Sequence, residues 1–318
     1  MNIKHSRLGF IYACMASLLT LAVSACSVWP ADEGSAGGPV QDEAQVLAYW
    51  TVERMQAAAD IDSPADFRPL APPLGGDDYG YLATPRPYKA GAVSRVTGIL
   101  FSHNPVVDQD THCSAAVISS RSKSVIVTAA HCFISYNPVA GGKTWSELML
   151  FVPAYDGVGV KDLHHRAPYG VWPIHRAYVT RKIADLPIFA TSARDDLGLA
   201  SVYPQQGQRL EEVVGNALEP LINDDEVFAM GDLFGYPSGR YGGYTQYRCA
   251  TVLSENAYNG IESPNCGIVG GNSGGPVVAG NKIVAVVHGR EQTRLRSDTY
   301  PLLAEAADGD SSGLWFKD

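Results

Sequence analysis

The stretch Gly271-Asn272-Ser273-Gly274-Gly275-Pro276 sets a serine between glycines. Glycine on either side admits positive φ and lets the backbone approach a ligand closely. A serine on such a turn presents its hydroxyl and its own N–H toward one spot, as a nucleophile beside an oxyanion donor requires. A surface Gly-rich turn would read the same, so the chemistry needs a base and an orienting acid elsewhere in the chain. Val127-Thr128-Ala129-Ala130-His131-Cys132 offers the base, a histidine that follows an apolar run and stands beside a cysteine. An imidazole at a strand end, fixed by a neighbouring disulfide, suits general-base work near neutral pH. Arg194-Asp195-Asp196-Leu197-Gly198-Leu199-Ala200 offers the acid. The alternation after Asp196 predicts a strand with that carboxylate at its entrance, placed to hold an imidazole in one tautomer. Asp195 and Asp185 are the rivals, although Pro187 fits poorly into a central strand after Asp185.

The elements that must position these residues read as short strands. From residue 93 onward, β-branched runs alternate with turn residues: 93–101, 113–119, 124–128, 149–152, 197–202, 227–230, 245–253, 276–278 and 282–288. No helical period competes and no internal repeat is present. Many short strands with Gly/Pro turns predict an all-β barrel or sandwich, as one unit or two packed barrels. Ahead of this, 27–40 is a Gly/Ser/Ala/Pro tether with acids. Residues 42–59 read as a short helix capped by Asp42, with Val46, Leu47, Trp50, Ala57 and Ala58 near one face and Val52 and Met55 on the other. Residues 61–90 are irregular and rich in Pro and Gly. Together 26–90 reads as a tether and a pro-segment or N-terminal arm, not a separate folded domain.

The net charge of −9, from 24 basic and 33 acidic residues, excludes nucleic acid as the main partner, since phosphate binding needs a basic face. At the N-terminus, Lys4 and Arg7 precede an apolar run over 8–23, which is an export signal and short for a membrane span. The run ends in Val23-Ser24-Ala25-Cys26, which resembles the bacterial lipobox. That resemblance implies cleavage after residue 25, a diacylglycerol on the Cys26 thiol and an outward-facing, membrane-anchored protein, with Ser27 implying outer-leaflet sorting. Ordinary cleavage with release of a soluble secreted chain is the alternative. Cys14 falls within the signal, leaving Cys113, Cys132, Cys249 and Cys266. Four cysteines in an exported chain imply two disulfides with three possible connectivities. No Cys-x-x-Cys pair argues for zinc. Asp162, His164, His165 and His175 match no ligand spacing and read as a solvated loop, so neither metal nor cofactor is expected.

Taken together, the order His131, Asp196, Ser273, with Thr-Ala-Ala-His-Cys, Asp-Leu-Gly-Leu and Gly-Asn-Ser-Gly-Gly-Pro, resembles the trypsin/chymotrypsin superfamily of serine peptidases. It is most similar to the bacterial glutamyl-endopeptidase-like (V8-like) branch, over residues 93–295. The resemblance implies two packed six-stranded antiparallel β-barrels, over about 91–205 and 206–318, with the active site between them. It implies Ser273 as nucleophile, His131 as base and then acid, Asp196 as orienter, and the N–H groups of Gly271 and Ser273 as oxyanion hole. It pairs Cys113 with Cys132, which leaves Cys249 with Cys266. A protein or peptide substrate and a monomer are expected.

Two departures sharpen the reading. Asn272 stands where the trypsin branch keeps an Asp that pairs with a newly cut amino terminus, so activity is expected without that ion pair. Gly267, six before Ser273, stands where trypsin-like enzymes keep an Asp, which argues against Lys or Arg at P1. His288, fifteen after Ser273, has the spacing of the glutamyl-endopeptidase histidine, and Arg290 could add charge. Ile268 departs from that branch, which places a hydroxyl residue there. An acidic P1 residue is therefore one expectation, and a small or apolar one the other. An α/β-hydrolase elbow is excluded by order, because His288 precedes every later Asp. A catalytically inactive binding lipoprotein on the same fold is the second functional reading.

Overall fold

The computed structural model describes residues 34–60, 66–136, 142–159, 162–185, 192–225, 229–255 and 260–315. The export signal, Cys26 and Ser27 lie outside the described residues. The arm begins with strand β1 (Ser35–Gly37), helices α1 (Glu43–Tyr49) and α2 (Val52–Ala57), and strands β2 (Ala59–Asp60) and β3 (Tyr81–Ala83). The single helix expected over 42–59 is thus two. Asp42 caps α1 as expected, accepting from the Gln45 N–H at 2.9 Å. The chain breaks at Trp50-Thr51, and Thr51 Oγ1 caps α2 through the Arg54 N–H at 3.3 Å. This restart turns Met55 inward beside Val46, Trp50 and Ala58, and it leaves Leu47 and Ala57 exposed.

The arm is built into the fold, and the described part of the expected tether, 34–40, carries a paired strand. The four inward residues pack with Ile99, Phe101, Leu150, Val152, Tyr155 and Tyr236 in one buried cluster. Trp50 Nε1 donates to the Leu148 carbonyl at 2.5 Å, and Tyr49 and Arg54 both reach Asp110.

The first barrel closes from six strands: β4 (Thr97–Asn104), β5 (Gln109–Val117), β6 (Val125–Ala129), β9 (Glu147–Pro153), β10 (Trp172–Thr180) and β11 (Leu197–Val202). β7 (Ile134–Tyr136) and β8 (Lys143–Trp145) form a separate hairpin between them. The ring runs β10-β11-β6-β5-β4-β9 and shuts where Trp172 and Pro173 of β10 meet Phe151 and Leu150 of β9. β1 adds to the outer edge of β10, and β2 runs parallel to β5.

The second half comprises β12 (Glu219–Pro220), β13 (Gly231–Gly235), β14 (Tyr247–Thr251), β15 (Ser254–Glu255), β16 (Ile261–Glu262), β17 (Pro276–Ala279), β18 (Lys282–Val287) and β19 (Glu291–Arg294). The second barrel is a curled half-barrel sheet among the described residues, in the order β15-β16-β19-β18-β17-β13-β14-β3, with β12 beside β18. The outer edge of β14 is taken by the arm strand β3, with Tyr81 opposite Cys249. An edge that would otherwise expose unpaired N–H and C=O groups is covered in this way.

Among the elements absent from the sequence reading are the long strand β10 and a C-terminal helix, Tyr300–Gly313. Tyr300, Leu303 and Ala307 of that helix are buried against the first barrel. Asp310 accepts from Ser201 Oγ and pairs with His175 Nδ1 at 2.6 Å, and Asp308 takes the Ser122 N–H at 2.8 Å. The loop expected at 162–165 is a helical turn, Leu163–Arg166, capped by Asp162. Among the described residues, no helix is long and apolar enough to cross a membrane.

Candidate active site

β6 delivers His131. The strand ends at Ala129, and a single 3-10 turn, Ala130–Cys132, carries the imidazole past the strand end. Cys132 is bonded to Cys113 on β5, and Cys249 on β14 to Cys266, with Cα–Cα separations of 6.1 Å and 6.0 Å. Each bridge contributes about 2–4 kcal/mol; the first ties the turn that bears His131 to the neighbouring strand.

β11 delivers Asp196. Leu197 and Gly198 pair with Ala129 and Thr128, so the residue before Leu197 lies beside the end of β6. Gly198 is bare because a Cβ there would sit 2.8 Å from the Phe133 ring. Asp196 is 3% exposed. Its Oδ1 accepts the His131 backbone N–H at 2.8 Å, and its Oδ2 meets His131 Nδ1 at 2.6 Å. Burial alone would push this carboxyl up, but the charge and hydrogen bond of His131, with those of His288, outweigh burial and hold it below the usual carboxylate range. The rivals serve elsewhere. Asp195 closes a capping box on Ser192 and pairs with Lys182 Nζ at 2.7 Å, and Asp185 ends the short helix Arg181–Asp185.

The Ser273 turn is pressed between the two halves. Gly271 and Gly274 have φ of 82° and 79°, in the left-handed region that favours glycine. Gly274 also touches the end of β6, where a Cβ would lie 2.9 Å from the Ala129 nitrogen. The Ser273 carbonyl accepts from the Ser114 N–H at 2.8 Å, and Gly274 N–H donates to the Val287 carbonyl at 2.7 Å. Ser114 Oγ donates to the Gly271 carbonyl at 2.9 Å. The Gly270 carbonyl accepts from the Ser238 N–H at 2.7 Å. In a trans peptide the C=O and the next N–H point oppositely, so the Gly271 N–H is directed away from Ser238.

Beside Ser273 lies a cavity of about 200 Å³, whose walls include Phe67, Gly267, Ile268, Val287 and His288. Arg290, expected to add charge here, is not among the residues lining it. His288 reaches past the cavity wall, and its Nδ1 meets Asp196 Oδ2 at 2.5 Å. One carboxylate oxygen is therefore shared by two imidazoles, whose ring centres stand 5.7 Å apart. Sequence reasoning missed this sharing, and it missed Phe67 and Tyr81, which reach the cavity from the arm. The alternating aromatics of Asp77-Asp78-Tyr79-Gly80-Tyr81 were the available signal, masked by the surrounding Pro and Gly.

No family model matches the sequence, and no curated protein matches it. Solved structures do match. A thermostable serine protease, AL20, from an extremophilic microorganism superposes with a TM-score of 0.55 at 22% identity, over 68% of this chain and 99% of that one. The protease Anisep from Arthrobacter nicotinovorans gives 0.52 at 20%, over 68% and 97%. A Glu endopeptidase in complex with MPD gives 0.53 at 17%, over 73% and 98%. At such identities the likeness carries the fold alone, and with the closed barrel and curled sheet it shows that this chain has the chymotrypsin-like serine protease fold.

Proposed function

We propose that the chain is an exported serine endopeptidase that cleaves peptide bonds through an acyl-enzyme at Ser273. His131 takes the Ser273 proton as Oγ attacks the scissile carbonyl, then gives it to the leaving amine. The same imidazole next activates the water that releases the acyl group. Asp196 fixes the His131 tautomer and stabilises its charged form. The N–H groups of Gly271 and Ser273 receive the developing oxyanion. The observation that carries this reading is the buried Asp196 holding His131 at both its backbone N–H and its Nδ1, at the strand end against which the Ser273 turn rests.

The cavity beside Ser273 serves as the pocket for the P1 side chain. Among the described residues no carboxylate lines it, so a Lys or Arg side chain would enter unpaired. Its ionisable ring, His288, spends Nδ1 on Asp196. The other ring nitrogen can donate to a P1 carboxylate only when the imidazole is protonated. His288→Leu is thus expected to lower cleavage after Glu or Asp, relative to apolar residues, by about tenfold or more. Profiling a peptide library with both proteins checks it, and an unchanged ratio would assign the pocket to apolar residues. A fluorophosphonate probe is expected to tag the peptide containing Ser273. A folded chain that takes no label and cuts no peptide would leave the binding-protein reading.

Export and lipidation at Cys26 complete the proposal. Two disulfides support a location outside the cytoplasm. Cys26→Ser is expected to move the protein from the membrane fraction to the soluble one, and a variant that stays with the membrane would rule out the lipid anchor.

A further inference from the structure

The turn that carries Ser273 is gripped by a side chain from the arm. Tyr81 is 4% exposed and Asn272 1% exposed. The Tyr81 hydroxyl accepts from Asn272 Nδ2 at 2.7 Å and donates to the Gly267 carbonyl at 2.9 Å. One phenol therefore ties together the residue before Ser273 and the start of the cavity wall. Among the described residues the Asn272 amide oxygen has no hydrogen-bond partner, so the bond to Tyr81 orients that side chain. Tyr81 is itself held firmly. Asp77 Oδ1 accepts the Tyr79 and Tyr81 N–H groups at 2.9 Å and 3.1 Å, and β3 is paired to β14 next to the Cys249–Cys266 bridge. Burial pushes the Tyr81 hydroxyl well above its ordinary range, so it remains protonated wherever the enzyme would work.

We infer that Tyr81 is a positioning residue for the Gly271–Ser273 turn, and that the arm activates the site through it, doing by a phenol–amide contact what an amino-terminal ion pair would otherwise do. Nothing needs to be cut to form this contact, so the site is assembled as the chain folds. The inference rests on the proposed peptidase reading of Ser273. Because Tyr81 also borders the cavity, a lining role and a positioning role must be separated. The former would change KM and P1 preference, whereas the latter changes turnover and the reactivity of Ser273 toward a probe that has no P1 side chain.

Tyr81→Phe in the full chain removes only the hydroxyl. Per active site titrated with fluorophosphonate, kcat is expected to fall about 10–100-fold with KM within about twofold, and the labelling rate to fall in parallel, as for lost oxyanion alignment. Asn272→Ala is expected to cost a similar factor, and the double variant little more than either, since the two groups act as one contact. Hydrogen exchange of the 270–275 amides in Tyr81→Phe is expected to quicken about tenfold, while the β4–β6 amides keep their protection. Unchanged kcat, labelling and exchange in Tyr81→Phe would overturn the inference while leaving the peptidase reading intact. Wild-type protein that never labels would remove the peptidase reading and this inference with it, even if exchange at 270–275 responded.

Discussion

Asp196→Asn is expected to lower kcat by about four orders of magnitude, or about 5 kcal/mol of transition-state stabilisation, with KM nearly unchanged. The carboxylate accepts three N–H groups: the His131 backbone at Oδ1, and His131 Nδ1 and His288 Nδ1 at Oδ2. An amide has one oxygen and one NH₂, so it cannot satisfy this set. With the oxygen toward the imidazoles, the NH₂ opposes the His131 backbone N–H, donor against donor. With the NH₂ toward the imidazoles, both rings must leave Nδ1 bare and carry the proton on Nε2. His131 in that tautomer cannot take a proton from Ser273. Substrate does not touch Asp196, so the loss belongs to turnover and to fluorophosphonate labelling, not to KM. A decrease of less than about tenfold would show that Asp196 does not orient the base. Asp196 is held below the ordinary carboxylate range, so its own ionisation persists to lower pH.

The candidate site was legible because its residues carry their own local geometry. Gly271 and Gly274 do take positive φ, and Leu197, opening the strand that follows Asp196, starts β11 as the alternation required. The arm was not legible, for a physical reason. β1, β2 and β3 are two or three residues long, too short for any period to show. They are strands only because edges far along the chain accept them: Ser35 pairs with Thr180 and Tyr81 with Cys249. The break between α1 and α2 is likewise a tertiary event, visible in sequence only as Val52 and Met55 refusing to join the face set by Val46. The strand that covers β14 is likewise borrowed from a stretch read as irregular. His288 was singled out for substrate, and its contact with Asp196 depends on how the end of β18 meets the mouth of β11, which no local pattern encodes.

Removing the arm is expected to cost the protein its fold, and that result separates an integral arm from a discarded pro-segment. Val46, Trp50 and Met55 are 0%, 4% and 1% exposed. Burying a large apolar side chain contributes about 1.5–3 kcal/mol, so these three account for about 5–9 kcal/mol, an upper estimate because denatured chains bury some area already. A whole domain is stable by only about 5–15 kcal/mol. Deleting 34–60 would also bare Ile99, Phe101, Leu150 and Val152 on the first barrel and open the edges of β10 and β5. Exposed apolar surface beside unpaired strand edges favours aggregation. The truncated chain is therefore expected to be insoluble, or to lack a cooperative thermal transition, and to be inactive. The protein isolated from its native source and mapped by peptide mass is expected to retain 34–90. A truncated chain that melts cooperatively within a few degrees of the full one, with undiminished turnover, would show that the arm is dispensable. It would leave the Tyr81 contact as a separate question, because β3 and the 66–83 segment that anchors it survive the 34–60 deletion. That separation makes the two experiments complementary. The deletion asks whether the arm holds the first barrel together, and Tyr81→Phe asks whether its far end holds the Ser273 turn.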